Sequence, residues 1–378
     1  MLGRFFEAKN RIFGLDLMRA AAILLVLFGH CGWIYPQTGG ILEQLMSLGG
    51  YLGVEVFFVL SGYLIGGILL RTVLGENFGW KQVRQFLRRR WLRTLPNYYL
   101  VLLVNIAIAA WMGYRVEGLW KYFFFLQNFA QPLLPFFPES WSLSVEEFAY
   151  VILPIGLMVA GRAVSTNKRI QFLGVVILLL LASLAAKVAY HINVSEPSLQ
   201  YWNLALKSVV IYRLDAIFYG VAFAWLHHNF DMQWRRYRKA LLFIGCCMLM
   251  FFTIGVGALG LFIERYPLFW NVLYLPLTSL GIACFLPALS LWQSTGKPLA
   301  IPITFISVIS YSIYLLHYSV ILQVLKHLVD TEALSPATRH VFTLGYLALT
   351  FFSSAMLFKF FEKPFMDLRD RNKASTAW

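Results

Sequence analysis

Charged residues are scarce in this chain. Asp, Glu, Lys and Arg make up 13% of its 378 residues, whereas a water-soluble domain usually carries about a quarter. The counterpart of that shortage is a hydrophobic fraction of 59% and a mean hydropathy of +0.66. A soluble core cannot bury this much apolar sequence, so the composition excludes a water-soluble enzyme and indicates that a lipid bilayer is the solvent.

The motifs of soluble enzymes and the usual metal patterns are also missing. The sequence contains no glycine-rich phosphate loop, no zinc spacing and no Gly-x-Ser-x-Gly elbow. Cysteine is rare and lies in apolar segments, with neither metal spacing nor a disulfide framework. We therefore expect no metal, and four small buried hydrophobic residues at Cys31, Cys246, Cys247 and Cys284.

Apolar stretches of about 20 residues, each long enough to cross a hydrocarbon layer of ~30 Å, recur along the whole chain. The first contains Arg19 and His30 and lacks a cleavage site, which indicates a retained helix rather than a signal peptide. The aromatic segment 119–130 is too short to span and is expected at the membrane interface. The stretches predict ten transmembrane helices near 15–35, 45–70, 94–113, 141–161, 170–190, 204–227, 240–259, 271–292, 303–325 and 340–360.

The predicted fold class is therefore an all-α, polytopic membrane bundle, formed by a single domain over 1–378 with short tails. With the N-terminus inside, 23 of the 32 basic residues, beginning with Arg4 and Lys9, fall in cytoplasmic segments, and six, including Lys187, fall in outer segments. This bias predicts that both termini are cytoplasmic. It also explains the net charge of +14 by topology and anionic lipid headgroups rather than by nucleic acid.

Ionisable residues that lie inside predicted helices are costly in a bilayer and usually line a cavity or pathway. Four separate segments bring His30, Glu55, the adjacent Glu146 and Glu147, and His317 to a similar depth in the outer half of the membrane. A histidine beside a carboxylate is what general-base activation of a hydroxyl requires. His30 with Glu55 or Glu147 is thus the candidate catalytic group.

Arginines mark the opposite, inner end of the bundle. Arg19 precedes His30 by eleven residues, which places both on one helix face about 16 Å apart. Arg90 and Arg93 share a face where the third helix enters the membrane, and their forked donors suit a phosphate-rich ligand. Asp16, one turn before Arg19, can pair with it.

Seven short motifs follow one another along the chain. They are Asp16-Leu17-Met18-Arg19 with His30, Gly53 to Tyr63, Arg90-Trp91-Leu92-Arg93, Trp141 to Glu147, Arg213-Leu214-Asp215, Ser310 to His317, and Glu362-Lys363-Pro364-Phe365. In this order they resemble the motifs of the acyltransferase-3 family of integral membrane O-acyltransferases, and the resemblance covers essentially the full length.

The resemblance implies transfer of an acyl group, usually acetyl, from cytoplasmic acyl-CoA to a hydroxyl of a cell-surface or lipid-linked carbohydrate. It implies that His30 is the catalytic residue and that Arg19, Arg90 and Arg93 matter for function, here as candidate contacts to acyl-CoA. The expected location is the bacterial inner membrane. Many members append a soluble esterase-like domain that is not visible here, so we expect transfer by a single protein.

Alternatives remain open at this stage. A transporter or flippase could use intramembrane His, Glu and Arg as a proton or substrate pathway, although no inverted repeat is visible. A scaffold protein would not need polar residues at one depth. Glu55 and Glu147 could equally tie helices together, and Arg213 is expected to pair with Asp215. Residues expected along a substrate pathway are Asp16, Glu146, Arg213, Tyr311 and His317.

Overall fold

The computed structural model describes residues 11–35, 40–75, 78–163, 167–194 and 198–374. Within these ranges the chain forms helices joined by loops, and no strand occurs among the described residues. Nine of the helices described are long and apolar enough to cross a membrane, and a tenth span is bent by 70° between its two parts. The predicted all-α bundle of about ten membrane helices is confirmed. Arg4 and Lys9 lie outside the described residues, and the orientation of the termini stays a prediction.

Sixteen α-helices follow one another along the described chain, several of them joined by π-helical turns. The helices are α1 Phe13–Cys31, α2 Ile41–Leu74, α3 Trp80–Trp111, α4 Leu119–Phe123, α5 Trp141–Ala163, α6 Lys168–Asn193, α7 Leu199–Trp202, α8 Val210–Asn229, α9 Asp231–Met250, α10 Val256–Ala258, α11 Leu275–Ala283, α12 Leu286–Ser290, α13 Lys297–Leu316, α14 Gln323–Leu328, α15 Pro336–Leu357 and α16 Lys363–Ala374. The π-helical turns are Asn203–Lys207, Phe251–Gly255, Phe269–Tyr274, His317–Leu322 and Phe358–Glu362.

Helix α3 extends further than predicted, whereas the short aromatic segment behaves as predicted. Helix α3 begins at Trp80, well before the predicted start at 94. The basic stretch ahead of the apolar span is rich in Arg, Lys and Gln, which are good helix formers, so it continues the helix. The aromatic segment 119–130 forms only the short helix α4 and turns, which agrees with the prediction that it does not span.

The span predicted near 204–227 is broken. Its first part is α7 with the π-helical turn Asn203–Lys207, and its second part is α8. The backbone at the break is satisfied by the buried Asn128, whose carbonyl accepts from the Val210 N–H at 3.0 Å. Its side-chain amide donates to the carbonyls of Ser208 at 2.6 Å and Trp141 at 3.1 Å. Such pairing is what permits irregular backbone at membrane depth.

Helix α2 lies at the centre of the bundle and packs along α1 on one side and α8 on the other. Glycines make the approach to α8 possible. A methyl group on Gly62 would overlap the carbonyl oxygen of Ile217, and one on Gly220 would overlap the carbonyl oxygen of Val59. The two helices are therefore in contact backbone to backbone, as small residues allow in membrane bundles.

Three residues are not where the sequence predicted them. Lys187 was assigned to an outer segment, but it is fully buried in α6 and paired with Asp215 of α8. Cys31 and Cys284 are buried as expected, whereas Cys246 and Cys247 are exposed. The expectation for these two is wrong because most of α9 lies on the outside of the bundle, where an apolar residue can face lipid.

The backbone contact between α2 and α8 predicts that Gly62→Ala lowers stability by about 1–3 kcal/mol or more, since the added methyl has no space. Gly67→Ala, on the same helix, is the matched control because nothing lies within 4 Å of its added methyl. That variant should be neutral or stabilised by up to about 1 kcal/mol. Thermal unfolding of the purified full chain in detergent measures both, and equal midpoints for the two variants would contradict the packing described.

Candidate active site

Two buried ion pairs hold the centre of the bundle. Arg213 of α8 pairs with Glu55 of α2, and Lys187 of α6 pairs with Asp215 of α8. All four side chains are at most 3% exposed. The expected pair of Arg213 with Asp215 is therefore wrong. The two side chains are two residues apart on one helix, so they point about 200° apart and meet different neighbours.

Both carboxylate oxygens of Glu55 are bonded within this network. Besides Arg213 it accepts a hydrogen bond from Ser279 Oγ, 2.9 Å from its Oε2. Its contacts join α2, α8 and α11, and it lines neither of the two cavities described below. The structure thus places Glu55 as a link between helices and not against the ring of His30.

Three arginines line one cavity, which we call the arginine cavity. It has a volume of about 100 Å³, lies between α1, α2, α3, α5 and α13, and is lined by Arg19, Arg90 and Arg93. Asp16 is shared by two arginines: Arg11 holds its carboxylate through bonds of 2.7 and 2.5 Å, and Arg19 pairs with it, as predicted, at the longer distance of 3.8 Å from Nη1. The three arginines predicted to bind an anionic ligand are brought together.

The two adjacent carboxylates of α5 separate. Glu146 lines the arginine cavity and accepts from the Tyr150 hydroxyl at 3.0 Å. Glu147 is buried on another side of α5, where Trp91 Nε1 and Thr94 Oγ1 of α3 donate to it, both at 3.0 Å. Glu147 therefore ties α5 to α3. It is not among the groups that the described structure brings to His30.

His30 lines a second cavity, which we call the histidine cavity. Its volume is about 310 Å³. Because His30 is eleven residues after Arg19 on the continuous helix α1, the two cavities are displaced by about 16 Å along that helix. The other chemically notable side chains of the histidine cavity are Trp33, Glu139, Trp141, Lys207 and Tyr318.

Two backbone carbonyls define the protonation of His30 and of the neighbouring His317. His30 Nδ1 is 2.8 Å from the carbonyl oxygen of Val26, and His317 Nδ1 is 2.7 Å from that of Tyr314. A carbonyl oxygen only accepts, so each Nδ1 carries the proton and each Nε2 has a free lone pair. In His30 the basic nitrogen is thus Nε2, which has no hydrogen-bond partner among the described residues.

His317 supports the ring of His30. Its Nε2 lies 3.3 Å from His30 Nδ1, so it is a second acceptor for the same N–H, and the two rings meet edge to face at 4.6 Å. His317 is fully buried and begins the π-helical turn His317–Leu322. Such turns are frequent at functional sites. The ring of His30 is oriented by a carbonyl and a second imidazole, where the sequence predicted a carboxylate.

The two cavities meet at Val54 and Tyr314, which line both. These side chains are only 7% and 6% exposed. The Tyr314 hydroxyl is 2.6 Å from Ser142 Oγ and donates to the carbonyl of Glu139 at 3.0 Å. We call this pair of side chains the partition. The partition lies where the cavity of the arginines meets the cavity of His30.

The remaining predicted pathway residues have distinct positions. Tyr311 lines the arginine cavity, and its hydroxyl donates to the Thr94 carbonyl at 2.8 Å. Arg213 lines neither cavity. No group of three or more His, Cys, Asp or Glu that could hold a metal occurs in the described part of the chain.

Sequence reasoning missed several cavity residues. Lys207 lies inside a predicted helix, so an intramembrane charge was the available signal for it, whereas Glu139 lies just ahead of the Trp141 motif and outside every predicted span. Val54 and Tyr314 are apolar or aromatic residues within motifs, and nothing in their identity distinguishes a partition from ordinary packing.

Comparison with known proteins assigns the chain to a family. Residues 12–359 match the family model described as an acyltransferase domain. The chain therefore belongs to this acyltransferase family, and its apolar helices make it a multi-pass integral membrane protein.

Curated relatives align along most of this chain. The peptidoglycan O-acetyltransferase OatA of Listeria monocytogenes is 27% identical over 379 residues, which cover 94% of this chain and 56% of that protein. YrhL of Bacillus subtilis, provisionally named a peptidoglycan O-acetyltransferase, is 26% identical over 82% of this chain and 48% of its own length. A provisionally named O-acetyltransferase of Staphylococcus aureus is 26% identical over 95% of this chain and 58% of its own.

The chain thus spans about half the length of the curated relatives it matches. No solved structure matches it significantly.

The buried pair of Glu55 and Arg213 predicts non-additive stability effects. Arg213→Met alone should destabilise the chain by about 3–5 kcal/mol, because it leaves a buried carboxylate without its counter-ion. Adding Glu55→Gln removes that charge and should restore most of the loss, since the amide oxygen can still accept from Ser279. Thermal unfolding of the single and double variants in detergent measures this. A double variant as unstable as the sum of the two single variants would contradict the pairing.

Proposed function

We propose that the chain is an integral membrane O-acyltransferase that transfers an acyl group, most simply acetyl, from acyl-CoA to a hydroxyl of a cell-surface or lipid-linked carbohydrate. The observation that carries the proposal is the meeting of the arginine cavity and the histidine cavity at the partition. Family membership supports acyl transfer. The names of the relatives support an acetyl group and a glycan acceptor.

The arginine cavity suits the donor. Three guanidinium groups in one partly buried cavity are suited to phosphate, and Asp16, the carboxylate paired with Arg19, is bonded more closely to Arg11. We expect the phosphates of CoA to bind there and its flexible arm to carry the thioester past Val54 and Tyr314. The net positive bias of the inner segments supports a cytoplasmic position for this cavity, in the bacterial inner membrane.

The histidine cavity suits the chemistry. His30 Nε2 takes the proton from the acceptor hydroxyl, and the hydroxyl oxygen attacks the thioester carbonyl carbon. The new ester C–O bond forms, the C–S bond breaks, and the leaving CoA thiolate takes up the proton from the imidazolium. Meanwhile the Val26 carbonyl and His317 hold the Nδ1–H and stabilise the charged ring. His317 is a positioning residue in this scheme, as it acts through His30.

The transporter alternative has less support. A transport pathway would need no acyl-CoA site, whereas both the family and the arginine cavity point to a donor. The two functions also differ in what they consume, because only the enzyme couples glycan modification to CoA release.

The catalytic role of His30 predicts that His30→Ala lowers acyl transfer by at least about 10²-fold, since a general base is removed. His327→Ala is the matched control, because His327 is exposed and lines neither cavity. The measurement is mass spectrometry of surface glycans from cells that lack the gene and carry either variant at equal membrane abundance. Loss of one acetyl unit should appear only with His30→Ala. A normal glycan profile with that variant would rule out the proposed base.

The proposed donor site predicts that the affinity for CoA depends on the arginines of one face of α3 and not on the other arginines of that helix. Arg90→Ala/Arg93→Ala should raise the Kd for CoA about 10²-fold, because two charge-assisted contacts are lost. Arg84→Ala/Arg88→Ala removes the same charge from the same helix, at exposed positions outside the arginine cavity. Equilibrium binding of CoA to the purified full chain compares the pairs. Equal losses would show that CoA responds to overall charge and not to this cavity.

A further inference from the structure

Lys207 places a positive charge in the histidine cavity, and no carboxylate among the described residues forms an ion pair with it. The side chain is partly buried and lines the cavity. Among the described residues, no hydrogen bond or ion pair holds its ammonium group. Its neighbour is the ring of Tyr51, whose centre is 5.9 Å from Nζ.

The buried ion pairs nearby do not neutralise this charge. Glu55 attracts Lys207 at longer range, but Arg213, with which Glu55 is paired, repels it. Lys187 and Asp215 likewise satisfy each other. The four paired groups sum to no net charge, so Lys207 is left as an uncompensated cation. A partly desolvated cation without a counter-ion is costly at membrane depth and favours an anionic ligand.

The position of Lys207 is built by the fold. It ends the π-helical turn Asn203–Lys207 at the break between α7 and α8, and Asn128 closes the backbone there. In membrane proteins, broken helices that line cavities commonly form the sites for substrates and ions. The ammonium group is therefore presented by irregular backbone at a helix break, where Asn128 bonds to Ser208 and Val210.

Glu139 supplies a second, independent feature of the same cavity. It is 4% exposed, and its Oε1 accepts from the N–H and hydroxyl of Ser319 at 3.0 and 2.5 Å. Its Oε2 is buried and has no hydrogen-bond partner among the described residues. An unsatisfied buried carboxylate oxygen is costly, and a hydroxyl donor from a ligand would satisfy it.

We propose that the histidine cavity binds the acceptor as an anionic glycan, with its negatively charged group on Lys207 and one of its hydroxyls on Glu139 Oε2. This rests on the proposed function and adds to it the chemical class of the acceptor. Trp33 and Trp141 line the same cavity and offer aromatic faces to the sugar ring. The anionic group can be the carboxylate of a sugar acid or the phosphate of a lipid-linked sugar.

Three probes that share one sugar ring test the proposal. N-acetylglucosamine is neutral, N-acetylmuramic acid adds a carboxylate, and N-acetylglucosamine 1-phosphate adds a phosphate. With the purified full chain and acetyl-CoA, we expect at least one anionic sugar to have a KM at least about tenfold below that of the neutral sugar. The better of the two anionic sugars identifies the source of the charge.

Variants separate the two contacts. Lys207→Met should bring the ratio of KM values for neutral and anionic sugars to about one, and Lys207→Arg should restore the preference. Glu139→Gln should raise the KM for all three sugars while keeping their ratio. Lys239→Met is the control, since this exposed lysine of α9 lines neither cavity, and it should behave as the unmodified chain.

Equilibrium binding of the radiolabelled sugars gives the same comparison without turnover. An unmodified chain that binds the three sugars equally, or a charge preference that survives in Lys207→Met, would overturn the inference. If no sugar is acetylated but the anionic sugar still binds through Lys207, the proposed function fails and the binding site stands. If acetylation proceeds without any charge preference, the function stands and the inference fails.

Discussion

The cost of placing charge in a hydrocarbon layer is the constraint on which the rest of this structure depends. Four of the intramembrane charges neutralise one another in two buried pairs. Glu55 pairs with Arg213 and Lys187 with Asp215 across α2, α6 and α8, and Glu147 is hydrogen-bonded to α3. The arginine cavity is lined by Arg19, Arg90, Arg93 and Glu146. The histidine cavity is lined by His30, about 16 Å along α1 from Arg19, together with Lys207 and Glu139. The paired groups hold the bundle together, and the remaining groups mark where a charged or polar substrate fits.

Tyr314 connects the two halves of the site. Its hydroxyl, held by Ser142 and the Glu139 carbonyl, forms part of the partition, and its own carbonyl holds Nδ1 of His317. His317 in turn shares the N–H of His30. If Tyr314 moves to admit a thioester, the position of its carbonyl also changes, and with it the support that His317 gives to the base, His30. The same residue belongs to the wall between cavities and to the support of the catalytic ring.

Much of the fold followed from the sequence because apolar length and charge placement are local properties. The membrane spans and the position of His30 eleven residues after Arg19 on one helix needed only periodicity and helical rise. Which groups touch was not predictable in that way. Two residues of one motif, Arg213 and Asp215, point to different neighbours, and Glu146 and Glu147 face a cavity and a helix respectively. Depth agreement suggested a carboxylate for His30, but the nearest acceptor is the carbonyl of Val26, one turn earlier on its own helix.

The central claim is that a donor bound at the arginines reaches His30 through the partition. The most direct measurement is a structure of the full chain with a thioether analogue of acetyl-CoA that cannot transfer its acyl group. The account predicts phosphates on Arg90 and Arg93, a displaced Tyr314 side chain, and the acyl end inside the histidine cavity beside His30 Nε2. An analogue whose acyl end stays in the arginine cavity with Tyr314 still bonded to Ser142, or one that binds elsewhere on the protein, would contradict it.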